Sequence, residues 1–275
     1  MSPMPEPEAN LNTQRTSRPR IIAITNQKGG VGKTTTAVNL ATALAANKMR
    51  VLLVDVDAQG NASTGLDIDK DNNKPTVYDL MVHKMSAVDV VVRTIVPGLD
   101  LLPASMHLAG AELELLDLDN REYLLSESLT VVGGGYDYIL IDCPPALGLL
   151  TLNALCAADS VLVPLQCEFY ALEGLSHLVG TIERIRQKLN PRLTIQGVVL
   201  TMYDRRNNLS DMVAADVREH FGDKVYETVI PRNVRISEAP SHGRPVLLYD
   251  WRCAGSKAYI HLAGEILKRE REQRT

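Results

Sequence analysis

Residues 21–26, "IIAITN", form a strand-length apolar run that opens onto a glycine loop, "QKGGVGK", and then onto helix-compatible residues at 33–46. A second apolar run, "VLLVDVD" at 51–57, follows that stretch. Strand, glycine loop, helix and strand in this order are the sequence form of a βαβ unit, and the same alternation continues along the chain. Further strands are expected at 99–103, 136–145, 160–166, 194–203 and 226–232. A helical stretch is expected after 103, with helices near 170–189, 208–221 and 256–270. The expected fold is α/β, a mostly parallel twisted β-sheet flanked by helices on both faces. No internal repeat or interdomain linker interrupts it, and Gly133-Gly134-Gly135 reads as a turn before a strand. Residues 1–19, with their prolines and polar side chains, read as a disordered extension, 20–270 as one domain and 271–275 as a frayed tail.

Ligands of such sheets bind at the carboxyl ends of the strands. The glycine loop, Asp57, Asp142 and the "PRN" after the last expected strand all fall on that rim. The loop departs from the common phosphate-loop spacing G-x-x-x-x-G-K-[ST]. Gln27 occupies the first glycine's place, and Lys28 precedes a glycine pair. Gly29, Gly30 and Gly32, with Val31 in the same arc, let backbone N–H groups turn inward as a nest for phosphate oxygens. The helix that starts at Lys33 adds its positive end. Lys33 is placed for the β- and γ-phosphates of a nucleoside triphosphate, the Thr34 hydroxyl for Mg²⁺ and the Thr35 hydroxyl for the α-phosphate.

Magnesium also draws on carboxylates, directly or through water. Asp142, which closes the apolar run "ILID", is expected to orient a metal-bound water. Asp57, nearest the end of its strand, is expected to order the attacking water and to stand near the metal. Asp55 points to the same side, and two readings stay open for it, structural or metal-proximal. Lys28 also carries two readings: a solvated surface lysine, or a cation directed at a nucleotide held by a facing copy.

A net charge of −4 makes no global case for nucleic-acid binding, so any such surface must be a local patch. Arg205-Arg206 after one strand and Arg232 with Arg235 around another turn are the candidates. Aromatic residues make up only 4% of the chain, with one tryptophan, so the core must be built from Val, Leu, Ile and Ala. Cys143, Cys156, Cys167 and Cys253 show no close pairing or metal-ligand spacing and read as reduced, cytosolic cysteines. The longest apolar runs are strand-length, and the N-terminus lacks the apolar region of a signal peptide. A cytoplasmic chain with no membrane partner is therefore expected.

"KGGVGKTT" resembles the deviant Walker A motif of the ParA/MinD ATPases, whose family mark is the extra lysine. "VDVDAQGNAS" resembles their Walker A′ strand and "YDYILIDCPPALG" their Walker B strand. "LTMYDRRNNLS" and "VIPRNVRISEAPSHGRPVLLYD" are similar to the ParA/Soj branch, the chromosome- and plasmid-partitioning ATPases. The resemblance runs from about residue 21 to 267. It implies the P-loop NTPase fold, ATP as substrate with Mg²⁺, and hydrolysis that is slow until a partner assists. ATP is implied to drive a face-to-face homodimer in which Lys28 contacts the partner's nucleotide and Gly29 lies at the tight interface. By the same match Lys33 binds nucleotide, Asp57 is the catalytic aspartate beside the two lysines, Asp142 is the Walker B carboxylate, and Pro231 and Asn233 flank the adenine. The dimer is implied to bind double-stranded DNA nonspecifically, on the nucleoid. Arg206 and Arg235 match contact positions there, with Arg205, Arg232, Lys257 and Arg252 as further contributors. A ParB/Spo0J-like centromere-binding partner is implied to stimulate hydrolysis and return the chain to a monomer.

Four rival readings remain, one of them a non-enzymatic, ATP-dependent DNA scaffold with negligible turnover, against which Asp57 argues. A MinD-like membrane-positioning ATPase ends in an amphipathic membrane helix, whereas this chain ends "LAGEILKREREQRT". A small-molecule kinase or ligase on the same fold needs an acceptor pocket, which the sequence does not display. A metal-cluster carrier needs a second cysteine near Cys143, and position 146 is Ala146.

Overall fold

The computed structural model describes residues 18–69 and 74–274. β1 (Arg20–Ile24) passes through the glycine loop into α1 (Lys33–Ala46), and β2 (Val51–Asp55) follows. Three short helices, α2 (Asn61–Thr64), α3 (Val77–Val82) and α4 (Ala87–Val90), precede β3 (Val92–Arg93) and β4 (Leu99–Leu102). Next come α5 (Leu108–Glu114), α6 (Leu124–Val132), β5 (Tyr138–Asp142), α7 (Leu149–Ala157) and β6 (Ser160–Gln166). α8 (Ala171–Lys188), β7 (Thr194–Thr201), α9 (Asn208–Phe221), α10 (Val234–Glu238), α11 (Val246–Tyr249) and α12 (Ala254–Arg274) complete the order.

The strands form one sheet, β3-β4-β2-β5-β1-β6-β7, parallel throughout except for β3 against β4. β2 and β5 are buried along their whole length, as expected for parallel strands covered on both faces. Alternate residues feed two cores. Ile21, Ala23, Leu52 and Val54 pack into one with helices from α3 to α9; Ile22, Ile24, Leu53 and Leu140 pack into the other with α1 and α12. The register sets Asp142 beside Ile24 on one side and beside Asp55 on the other. Three strand ends thus deliver the glycine loop and both acidic segments to one place.

Beyond the elements not expected from sequence, β3, α2 to α4 and α7 among them, the structure departs from expectation at four places. Residues 226–232 form no strand: two isolated parallel bridges, Val198 with Val225 and Tyr203 with Pro231, hold the segment along β7. Between them the N–H groups of Glu227 and Thr228 turn away to the Glu265 carboxylate, at 2.9 and 3.1 Å, and Pro231 has no N–H to donate. The helical stretch after 103 breaks into α5 and α6, with Asn120 in the left-handed region at φ 55°. Asp117, Asp119 and Asn120 are there, residue types that favour turns and caps over helix interiors. Arg18 and Pro19, read from sequence as extension, belong to the folded unit. Arg18 Nη2 pairs with Asp159 Oδ1 at 3.1 Å and Pro19 is buried; residues 1–17 lie outside the described residues. At the other end α12 runs to Arg274 through positions read as a tail. Its last turns hold no Gly or Pro to stop it, and Lys268 is set one turn from Glu272. Thr275 lies outside the described residues.

Candidate functional site

The loop between β1 and α1 is braced from two neighbouring strands. Asn26, buried just past the end of β1, donates from Nδ2 to the Pro164 carbonyl at 2.8 Å and accepts from the Lys28 N–H at 3.0 Å. Thr201, the last residue of β7, donates its hydroxyl to the Val31 carbonyl at 2.8 Å. Gly30 and Gly32 take φ of 74° and 87°, a region open to glycine but costly for residues with a Cβ. Gly32 is the N-cap of α1 and offers no side chain to its first turn. The initial N–H groups of a helix lack intrahelical partners, so this end is available to an anion.

The two lysines take opposite directions. Lys33 is buried, and its Nζ donates to the Lys28 carbonyl at 2.7 Å, folding back over the loop. Burial lowers its pKa, while Asp142, Cys143 and Asp57 pull it up. Lys28 is exposed and leaves the loop, pairing through Nζ with Glu168 just beyond β6. Thr34 and Thr35 are half-buried at the start of α1, and the Thr35 carbonyl accepts from Asn39 Nδ2 at 2.8 Å.

The three aspartates are not equivalent. Asp142 is fully buried, and neither of its carboxylate oxygens has a hydrogen-bond partner among the described residues. Burial raises its pKa well above the usual range and Asp55 adds to that, while Thr34 and Lys33 oppose it. An orphaned buried carboxyl is costly in isolation, and a hydrated divalent cation with the Thr34 hydroxyl on its other side would satisfy it. The residues fit magnesium in that form. Asp55 is spent on structure instead: Oδ2 accepts from the Ser63 N–H at 3.0 Å and its hydroxyl at 2.9 Å, while Oδ1 accepts from the Asp57 N–H at 3.3 Å. Burial pushes its pKa up to about 6. Asp57 is half-buried at the rim, with Oδ1 accepting from the Gln59 N–H at 3.0 Å.

Beyond β7 a cleft of about 960 Å³ opens between residues 203–206, the 227–234 segment and the start of α12. Arg205, Arg206, Arg232 and Lys257 line it, together with Pro231 and Asn233. Arg206 grips Asp204 in a bidentate pair at 3.0 and 3.0 Å, and that contact holds the Asp204 carboxyl down to about 2. Asn233 caps α10, its Oδ1 accepting from the Arg235 N–H at 2.9 Å. Arg235 lies outside the cleft wall and pairs with Glu238 Oε2 at 2.9 Å and Asp250 Oδ2 at 3.6 Å. Sequence reading does not find Asn26, Glu168 or Thr201. Only Asn26, two residues before Lys28 as in an Asx-turn, leaves a local trace. Burial raises the thiols of Cys156 and Cys167 to about 11 and that of Cys143 further, so none is a ready nucleophile or metal ligand. Among the described residues no cluster of three or more His, Cys, Asp or Glu side chains could hold a metal, and no helix is long and apolar enough to cross a membrane.

The protein-family model described as "AAA domain" matches residues 19–195. The chromosome partitioning protein ParA of Caulobacter vibrioides is 61% identical over 256 residues, which cover 92% of this chain and 96% of that protein. The sporulation initiation inhibitor protein Soj of Bacillus subtilis is 56% identical, with 90% and 98% covered. A solved structure, cobyrinic acid a,c-diamide synthase from Mycobacterium smegmatis with bound ATP analogue and magnesium, superposes with a TM-score of 0.81 at 38% identity, covering 92% of this chain and 96% of that one. With so much of its length shared at such identity, and with a sheet and phosphate cradle of the kind described above, the chain belongs to the ParA/Soj family of P-loop ATPases.

Proposed function

We propose that this chain is a chromosome-partitioning ATPase whose bound nucleotide decides whether it is a monomer or a DNA-binding dimer. The observation that carries this reading is the divergence of the two loop lysines: Lys33 turns into the cradle while Lys28 turns out of it toward Glu168. One lysine serves the chain's own phosphates and the other is left for a second copy's.

In this reading the N–H groups of residues 29–35 and the Lys33 ammonium bind the β- and γ-phosphates of ATP. Magnesium would supply charge that offsets what builds on those phosphates. Thr34, through its hydroxyl, and Asp142, through water, are the residues that would hold it. Asp57, at the rim and less buried than Asp142, orients the attacking water. Lys28 leaves Glu168 on dimerisation and places a positive charge on the partner's phosphates, as a donor supplied in trans. Pro231 and Asn233 bound the adenine side. Arg206 and Arg235, with Arg205, Arg232 and Lys257, face DNA phosphates without reading sequence. A ParB-like protein at a centromere-like site accelerates hydrolysis, and the chain returns to a monomer.

The name of the Mycobacterium smegmatis neighbour favours a second reading, a small-molecule ligase. Relatives of higher identity, the Caulobacter vibrioides protein among them, carry partitioning names. One measurement separates the two: size by light scattering and ATP turnover, with ATP or ADP and with or without duplex DNA. The partitioning reading requires an ATP-dependent dimer that retains DNA, and a chain that stays monomeric and indifferent to DNA in ATP refutes it.

A further inference from the structure

The chain's single tryptophan, Trp251, stands on the turn between α11 and α12 with 64% of its surface exposed. Trp side chains are enriched at contact surfaces, where a large apolar ring meets a partner while its polar edge stays wet. The neighbour of Trp251, Arg252, lies with the guanidinium carbon 4.9 Å from the ring centroid, at cation–π distance, and so covers one face of the ring. On the other side in sequence, Asp250 takes Arg235 Nε at 3.6 Å. Three residues beyond Trp251, Ala254 opens the wall of the basic cleft, and Lys257 continues it. Trp251 thus follows a residue tied to Arg235 and leads into the cleft wall.

Charge around it is strongly biased. Residues 232–257 hold five cationic side chains (Arg232, Arg235, Arg244, Arg252 and Lys257) and two anionic ones (Glu238 and Asp250), net +3 in a chain of net −4. A flat apolar ring set in a cationic field suits a ligand that is anionic on its ridges and apolar between them. Duplex DNA has that form, with phosphates flanking sugar and base edges in a groove. A lone indole beside a four-residue helix lacks the long apolar stripe that holds a helix in a lipid surface.

We propose that Trp251 is a DNA-contact residue whose ring packs on the sugar and base edges of the duplex while Arg252 holds the adjoining phosphate. This rests on the DNA-binding reading given above. It adds an apolar, sequence-tolerant contact to a surface otherwise made of salt-screened charges.

Because the indole is the only one in the chain, its emission reports the contact directly. The full-length protein with ATP is titrated with duplex DNA at several salt concentrations, following emission and DNA retention together. Trp251 emission is expected to change and to saturate with retention. Trp251→Ala should bind DNA about tenfold more weakly with an unchanged salt slope, and Trp251→Phe should recover most of the affinity. Arg252→Ala should lower the slope by about one. All three variants should still dimerise with ATP. Emission that stays constant while DNA saturates overturns the proposal and leaves the DNA reading standing, whereas a wild-type chain that retains no DNA overturns both. Loss of dimerisation in Trp251→Ala, or an emission shift with phosphatidylglycerol vesicles and none with DNA, also overturns it.

Discussion

Lys28 and Lys33 lie five residues apart in one loop, yet they point to different partners, the Lys28 carbonyl for one and Glu168 for the other. Lys33 is buried among acidic groups with its ammonium over the loop, so removing it takes a charge-assisted donor from the phosphates. Lys33→Ala should weaken ATP binding by roughly 10- to 100-fold, as expected for about 1.5–3 kcal/mol. Lys28→Ala removes an exposed ion pair with Glu168 and should leave ATP affinity of the monomer nearly unchanged while weakening the dimer. Equal loss of nucleotide affinity in both variants, measured by titration calorimetry, would contradict the trans role. Gly29 gives an independent check. A Cβ there meets nothing within 4 Å inside the chain, and its φ is not in the left-handed region. Gly29→Val should therefore keep the melting temperature of the wild type and lose the ATP-dependent dimer, because only a second copy can clash with it. The cradle was legible in "GGVGKTT" because its chemistry is local. The direction of Lys28 was not, since Glu168 lies 140 positions away. Nor was the role of Asp55, which depends on the Ser63 backbone turning back to meet it.

The segment after α9 shows the same limit for elements. "YETVIPR" has the β-branched and aromatic residues of a strand and the position of one. Strands were legible wherever both faces are buried, as in β1, β2, β5 and β6, since a continuous apolar run needs no knowledge of its neighbours. Here a carboxylate from α12 decides. Glu265 accepts from two N–H groups of the segment and pairs with Arg269 at 2.8 Å, tying the cleft wall to the last helix. Burial pushes the Glu265 pKa up, but those two N–H groups, with the Thr228 side chain and Arg269, win and leave it below its ordinary value of 4.5. A carboxyl depressed in the folded state stabilises it above the unfolded pKa, and that contribution is lost as pH falls through the folded value. Glu265→Gln should cost about 1–2 kcal/mol at pH 7, the lower end reflecting its partial exposure. The difference from wild type should shrink as pH falls out of the ordinary carboxylate range and through the lowered folded value, where both carry a neutral side chain. Urea midpoints across pH test this, and a penalty that does not change with pH would mean that the charge on Glu265 contributes nothing.

At the scale of the whole molecule, the sites proposed for nucleotide, partner copy and DNA lie along one rim of one sheet. The glycine loop follows β1, Asp57 follows β2, Asp142 ends β5, Glu168 follows β6 and the arginines of residues 205–206 follow β7. Neighbouring strands bring these groups together although they span most of the sequence, which is why the order of motifs says more about the candidate site than any one of them. The arrangement also separates two functions that a mutation can divide. Arg206→Glu lies in the cleft, outside the phosphate loop, and exchanges an exposed cation paired with Asp204. It should abolish DNA retention, flatten the salt dependence and keep the ATP-dependent dimer. Asp57→Ala acts in the opposite sense. The Asp57 carboxylate accepts from the Gln59 N–H of its own turn and makes no hydrogen bond to the phosphate loop among the described residues, so its removal should leave nucleotide binding intact. On the proposed mechanism, loss of the carboxylate leaves ATP unhydrolysed and Lys28 across the interface. Asp57→Ala should then remain dimeric and DNA-bound in ATP for as long as nucleotide lasts, while wild type cycles back to monomer. In ADP both should be monomeric, because the γ-phosphate that Lys28 is proposed to reach is gone. Light scattering with DNA retention measures both states, and a variant that is monomeric in ATP removes Asp57 from the catalytic position.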